Sequence, residues 1–211
     1  MKGKHSANKE QAILEAAERE FIAKGFAGAR TTSIAQAAGV THAMLHYYFR
    51  TKEHLFERIL DEKMRLLGHS ILTTFGDVNL PLQQRLREGI SNHFDFIAQN
   101  PGLPRFIVNE VFSAPERYEV MQHRIAEIAG AILSDLQHEL DASAARGETD
   151  AVDARMLMLD IVSLNIFIFI GEPIILPIFA GAGPAEREAF LARRKAESIE
   201  TILRRIQKSN P

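Results

Sequence analysis

The run THAMLHYYF, residues 41–49, gathers a threonine, two histidines four apart and two adjacent tyrosines within nine residues. Histidines at i and i+4 lie on one face of a helix, a spacing that can hold a metal ion. Hydroxyl, imidazole and phenol groups on one short helix can equally bond base edges or phosphate oxygens of a duplex. No third ligand stands beside His42 and His46, and a reading surface already accounts for their exposure, so no metal is expected. Arg50 and Lys52 follow at the far end, where cations add salt-dependent attraction to a polyanion.

Such a helix must be held by others. Leu45 and Phe49, four apart, form its inner face, and Thr41 can cap its start. Thr41, His42, Ala43, Met44, His46, Tyr47 and Tyr48 are then left toward the outer side. Just upstream, RTTSIAQAAGV offers Thr31 or Thr32 as N-cap, an apolar face of Ile34, Ala35 and Ala38, and a stop at Gly39. Two short helices joined by a glycine-bearing turn make a helix-turn-helix, which places its second helix in the major groove. Ile13, Ala16, Ala17 and Phe21 predict a supporting amphipathic helix over residues 7–24, ended by Gly25. A further helix over residues 52–75 carries the stripe Leu55, Phe56, Ile59, Leu60, Met64 and Leu67.

Helical periodicity continues beyond Pro81. Leu82, Leu86, Ile90, Phe94 and Ile97 predict a helix as far as Asn100-Pro101, and a shorter one covers residues 103–113. Another starts near Pro115 and runs to the polar connector SAARGETD. Two more cover residues 151–171 and 184–207, and no strand, repeat or low-complexity tract is evident. The expected fold is all-α: a three-helix, helix-turn-helix DNA-binding domain over residues 1–54, and a larger helical ligand-binding and dimerisation domain over residues 55–211.

Composition narrows the function. Of 211 residues 46% are hydrophobic and 25% charged, enough for a sizeable core. The absence of cysteine excludes disulfides, thiolate zinc sites and cysteine nucleophiles, and agrees with a cytoplasmic protein. MKGKHSANKE lacks the apolar core of a signal peptide. In the apolar run 156–179, Asp160, Glu172, Pro173 and Pro177 interrupt any membrane-length segment, so a buried run is expected and no membrane partner. Through residue 54, eight Lys/Arg face five Glu, a net +3, leaving −5 on the remainder of a chain whose total is −2. A basic front on an acidic body suits contact with a polyanion. The arm with Lys2, Lys4 and Lys9 could enter a minor groove, but is read first as a solvated, disordered tail.

The span IAQAAGVTHAMLHYYFRTKEHL resembles the signature of TetR-type transcriptional regulators: Ile-Ala, Ala-Gly-Val, a hydroxyl residue, then Leu, an aromatic cluster, Phe and Lys-Glu. The likeness is close over residues 7–55, aided by the Gly25-Phe26 step, and architectural elsewhere. It implies a homodimer on a palindromic operator, with an effector pocket in the body. By position it implies DNA contacts from Thr31, Thr32, Thr41, His42, Ala43, Met44, His46, Tyr47, Tyr48 and Lys52. Ala43 stands where the family often has glycine, and His46 where it commonly has tyrosine, which leaves the sequence preference at those two places open.

In the body, aromatics and methionines interleave with a few polar residues. Phe94, Phe106, Asn109, Met121, Met158, Asn165 and Phe169 are the candidate lining of a pocket for a small, largely apolar effector, against the alternative that they are ordinary core. The helix over residues 151–171 is apolar around most of its circumference, so a second copy is its expected cover, through the last two helices. The sequence therefore favours a ligand-responsive, dimeric repressor without a cofactor. Its rivals are an all-α enzyme, disfavoured because no Gly-rich phosphate loop, HExxH or nucleophile elbow occurs, and a sensor without DNA binding, disfavoured by Tyr47, Tyr48 and Lys52. The effector, the operator sequence and the sense of the ligand response are not legible in it.

Overall fold

The computed structural model of the chain describes residues 2–75, 80–112, 116–181 and 183–209. Ten helices follow in order among them: α1 (Lys2–Gly28), α2 (Thr31–Ala37), α3 (His42–Phe49), α4 (Lys52–Phe75), α5 (Leu82–Gln99), α6 (Leu103–Phe112), α7 (Glu116–Ala145), α8 (Ala154–Ile170), α9 (Glu172–Phe179) and α10 (Pro184–Ile206). No strand forms among the described residues; an isolated antiparallel bridge joins Thr149 to Gln207. The expected start at Pro115 lies outside the described residues.

Helix α1 is two helical pieces merged across Gly25, whose backbone (φ 68, ψ 172) is where the sequence places the stop. At its other end the arm read as disordered is helical from Lys2, because nothing between residues 2 and 12 stronger than Gly3 interrupts the helix. The run 156–179 also departs from expectation. Helix α8 ends at Ile170, and α9 follows after an 84° bend, its Pro173 tolerated in the first turn where the missing N–H has no helical partner to lose. Far from being buried throughout, this run leaves Met156, Leu159, Phe167, Ile174, Ile178 and Phe179 largely exposed. No single helix among the described residues is long and apolar enough to cross a membrane.

Packing divides the chain into two compact units, Met1–Leu66 with Arg105–Tyr118, and Leu67–Pro104 with Glu119–Pro211. The first unit thus extends past residue 54. Its core holds Ala17 with Ile13, Phe21, Ile34, Leu45, Phe49, Leu55 and Ile59, each of these seven larger side chains stabilising the fold by about 1.5–3 kcal/mol through burial. In the second unit α5, α8 and α10 pack on one another. Leu86, Ile90, Leu136, Leu140, Leu157, Ile161, Ile202 and Ile206 form one cluster, and Phe94, Ile97, Ile168, Phe169, Leu176 and Leu191 another. Gly89 on α5 leaves room for the Phe75 ring, which a Cβ there would strike.

Candidate nucleic-acid interface

Three local features fix the helix-turn-helix. Arg30, extended at φ −119 and ψ 128, is the N-cap of α2, one residue ahead of the threonines that the sequence offers for that place. Its backbone N–H points to Glu20, whose carboxyl is held below its ordinary range by the Lys24 ammonium at 2.7 Å. Gly39 takes φ 65 in the turn, a conformation that L side chains resist, and Val40 N–H closes back on Ala35 O at 3.0 Å. Thr41 caps α3 as its type predicts: it is extended, and its hydroxyl accepts from Met44 N at 3.2 Å.

With Leu45 and Phe49 buried, the remaining residues of α3 turn outward. Thr41, His42, Ala43 and His46 are exposed, Met44 and Tyr48 half-buried, and Tyr47 is 81% exposed. The tyrosine rings meet edge to face at 5.4 Å, and His42 and His46 do so at 4.4 Å. Thr31, freed from capping, shares a 2.9 Å hydrogen bond between its hydroxyl and His42 Nε2 and so ties the starts of α2 and α3; Thr32 is exposed beside it. These nine residues make one surface over the starts of α2 and α3 and along the outer face of α3, where hydroxyls and backbone N–H groups at the helix starts can donate to phosphate oxygens and the rings farther along α3 can meet base edges.

Lys52 is placed differently from the rest. Its ammonium donates to Phe26 O at 2.8 Å and Ala29 O at 3.2 Å and sits 4.5 Å from the centre of the Phe26 ring. It ties the start of α4 to the end of α1, with its partners 26 and 23 residues away in the chain. The basic residue at this end whose guanidinium has no partner among the described residues is Arg50, which the sequence places with Lys52 among the cations at the far end of α3 but which is not among the contacts that the resemblance implies by position.

The candidate effector residues are divided between the two units. Phe106 and Asn109 belong to the first unit, where Phe106 is buried with its ring 5.2 Å from that of Phe56, and Asn109 is exposed. In the second unit Phe94 and Phe169 pack edge to face at 5.4 Å. Asn165, fully buried, donates through Nδ2 to Ile90 O at 3.0 Å and to His93 Nδ1 at 3.1 Å, while its Oδ1 has no partner among the described residues. Accepting at Nδ1 leaves the His93 proton on Nε2, and burial pushes its pKa down to about 4. Met158 is half-buried against the larger cluster, and the side chain of Met121 lies outside the described residues. Of the seven, Phe94 lines an open cleft of about 480 Å³ between α5 and α10, with Ala98, Leu191, Arg187 and Lys195. Among the described residues no cluster of three or more His, Asp or Glu could hold a metal ion.

A short helix buried on one side, capped by a threonine, following a glycine turn and presenting imidazoles and phenols to solvent defines a helix-turn-helix protein. Residues 13–59 match the model described as bacterial regulatory proteins, tetR family, and the relatives that the chain resembles are named as HTH-type transcriptional regulators. An uncharacterized HTH-type transcriptional regulator of Mycobacterium tuberculosis is 31% identical over 124 residues, 59% of this chain and 61% of the relative. The chain therefore aligns with about 61% of that relative's length. An HTH-type transcriptional repressor of Streptomyces coelicolor is 27% identical over 200 residues, 92% of each chain. The fold is shared with a Rhodococcus bacterial regulatory protein in the tetR family, at a TM-score of 0.70 and 21% identity over 96% of this chain and 98% of that one.

Proposed function

We propose that the chain is a dimeric transcriptional repressor of the cytoplasm that binds a palindromic operator through residues 1–54 and is released by a small, largely apolar effector bound within residues 55–211. The observation that carries the reading is the outer face of α3, where Thr41, His42, Ala43, Met44, His46, Tyr47 and Tyr48, with Thr31 and Thr32, stand opposite the buried Leu45 and Phe49. Thr31, Thr32 and the start of α3 are placed for phosphate oxygens, and the rings farther along α3 for base edges and sugars. Lys52 supports that surface from behind.

The dimer reading draws on the face that the described chain leaves open. Met156, Leu159 and Phe167 project from α8, and Ala185, Ala189, Ala192 and Ala196 lie exposed along α10. Large apolar side chains on one helix against alanines on another suit close packing across a two-fold axis. Such a dimer would set two α3 helices about 34 Å apart, one turn of DNA. The effector reading draws on Phe94, Phe169 and Asn165, whose buried, unpaired Oδ1 is an acceptor for a ligand hydroxyl or N–H. An effector that binds the DNA-incompatible arrangement better shifts the population by its differential affinity alone.

Selection from a random duplex pool at low salt tests the core of this. Enrichment of a palindrome is the expected result, and recovery of no preferred sequence refutes the operator reading. Sedimentation of wild type and Phe167→Asp tests the dimer: a concentration-independent monomer for the wild type refutes it, while dissociation of the variant alone is expected.

A further inference from the structure

The turn between α3 and α4 carries a local conflict that its own contacts do not explain. Arg50 is the one non-glycine residue with positive φ among the described residues (φ 54, ψ −55). Together with the Thr51 N–H to Phe49 O bond at 2.5 Å, spanning two residues, this is a γ-turn of the rare, strained hand. Two histidines brace it. His46 O accepts from Arg50 N at 2.9 Å, and because Arg50 O can only accept, His46 Nδ1 carries the proton in its 2.8 Å bond to that oxygen. His54 Nδ1 likewise donates to Phe49 O at 3.2 Å, and its backbone N–H donates to Thr51 Oγ1 at 3.1 Å. Each backbone polar group of the γ-turn thus has a partner.

Glycine would adopt this backbone without strain, whereas an arginine must be held there. The Arg50 side chain returns nothing to the fold that would offset the cost: it is exposed and has no partner among the described residues. A residue that breaks a local rule without an internal gain points to a partner outside the chain. Next along the surface are Tyr47, 81% exposed, and His46, on the helix face assigned above to DNA. The neighbouring cation that could have served there, Lys52, is engaged by Phe26 O and Ala29 O.

We propose that Arg50 is a DNA-backbone contact, its guanidinium displayed toward a phosphate by the γ-turn, with His46 and His54 as the positioning residues that hold the turn. This rests on the operator reading above. A guanidinium suits the task because its planar fork meets two phosphate oxygens at once. The contact is blind to sequence, so it raises affinity for any duplex equally.

The test uses the full-length chain as wild type, Arg50→Gly and Arg50→Lys, with a mixed-sequence duplex and the selected palindrome, titrated over a range of salt. Arg50→Gly is expected to melt at the same or a higher temperature while binding both duplexes about tenfold more weakly, with a salt slope shallower by about one per protomer. Arg50→Lys, which keeps the charge, should retain the wild-type slope. An Arg50→Gly protein with wild-type affinity and slope overturns the assignment while leaving the operator reading intact. Loss of melting temperature in Arg50→Gly overturns the strain argument. A wild type that binds no duplex overturns the operator reading, and this contact with it.

Discussion

Replacing Lys52 with methionine separates an internal tie from a phosphate contact, because the two roles predict opposite readouts. Methionine keeps most of the aliphatic stem and removes the ammonium with its bonds to Phe26 O and Ala29 O and its place over the Phe26 ring. A hydrogen bond from a charged donor contributes about 1.5–3 kcal/mol when its groups are dry. Lys52 is only half-buried and both carbonyls close a helix end that water can reach, so about 1 kcal/mol for each is the better figure. The cation over Phe26 adds about 0.5–1 kcal/mol. The expected loss is therefore roughly 2–3 kcal/mol of stability in the first unit, a large fraction of what holds a small domain together. Urea unfolding followed by far-ultraviolet circular dichroism measures it, and duplex titration over salt measures the contact count. With the tie as described, Lys52→Met lowers the unfolding midpoint, and the salt slope at temperatures where the variant is folded stays as in wild type. Stability within about 0.5 kcal/mol of wild type combined with a slope shallower by about one would refute the reasoning and return Lys52 to the DNA backbone.

Two further outcomes follow from buried groups. His93, with its pKa depressed from 6.5 to about 4 by burial, binds its proton more readily in the unfolded chain, so its stabilisation is complete above about pH 6.5 and is lost as pH falls toward 4. The gap amounts to about 3 kcal/mol at the acid end of that window; urea unfolding at neutral and acid pH should show a steeper loss in wild type than in His93→Gln, and equal losses would contradict the burial argument. Phe106→Ala removes a ring that is 5% exposed and packs on Phe56, and large-to-small changes at such sites cost about 3–5 kcal/mol. Duplex binding should weaken without any effector present; unchanged stability with an altered effector response would instead return Phe106 to the ligand pocket.

What the sequence shows of this fold is what is local or periodic. The stripe Ile13, Ala16, Ala17 and Phe21, the glycine at position 39 and the threonine at position 41 each act through neighbours within a turn or two, and the structure places all of them as their types dictate. Helix α9 is hidden in the sequence by Pro173 and Pro177; the first lies in the first turn, where a proline breaks nothing, and the second stands inside the helix, where its type gives no sign of one. The buried reading of residues 156–179 failed for a related reason: hydropathy measures how apolar a segment is, and says nothing about whether one chain supplies enough surface to cover it. The candidate effector residues share a type and not a place in the fold, which assigns them to two units, and composition carries no signal of that division.

The cations show the same limit most sharply, and there it alters the functional picture. A count of charges through residue 54 gives a net +3. Within the fold, Lys24 is engaged by Glu20 and Lys52 by two carbonyls, so neither is free to meet a phosphate at full strength. Both engagements link residues that a linear count treats as independent, and the lysine's partners are more than twenty positions away. Arg30 at the start of α2 and Arg50 at the end of α3 are exposed, and each sits where the backbone is extended or strained instead of helical. On a chain of net charge −2, attraction to a polyanion must be local, so a few arginines on turns flanking the reading helix are a more economical source of it than the overall charge of the front. The histidine at position 46 then has a physical role that its neighbours in the sequence do not disclose: its Nδ1 proton is committed to the Arg50 carbonyl, so it braces the turn that carries the arginine, and under the proposed operator reading only Nε2, an acceptor, is left to meet DNA.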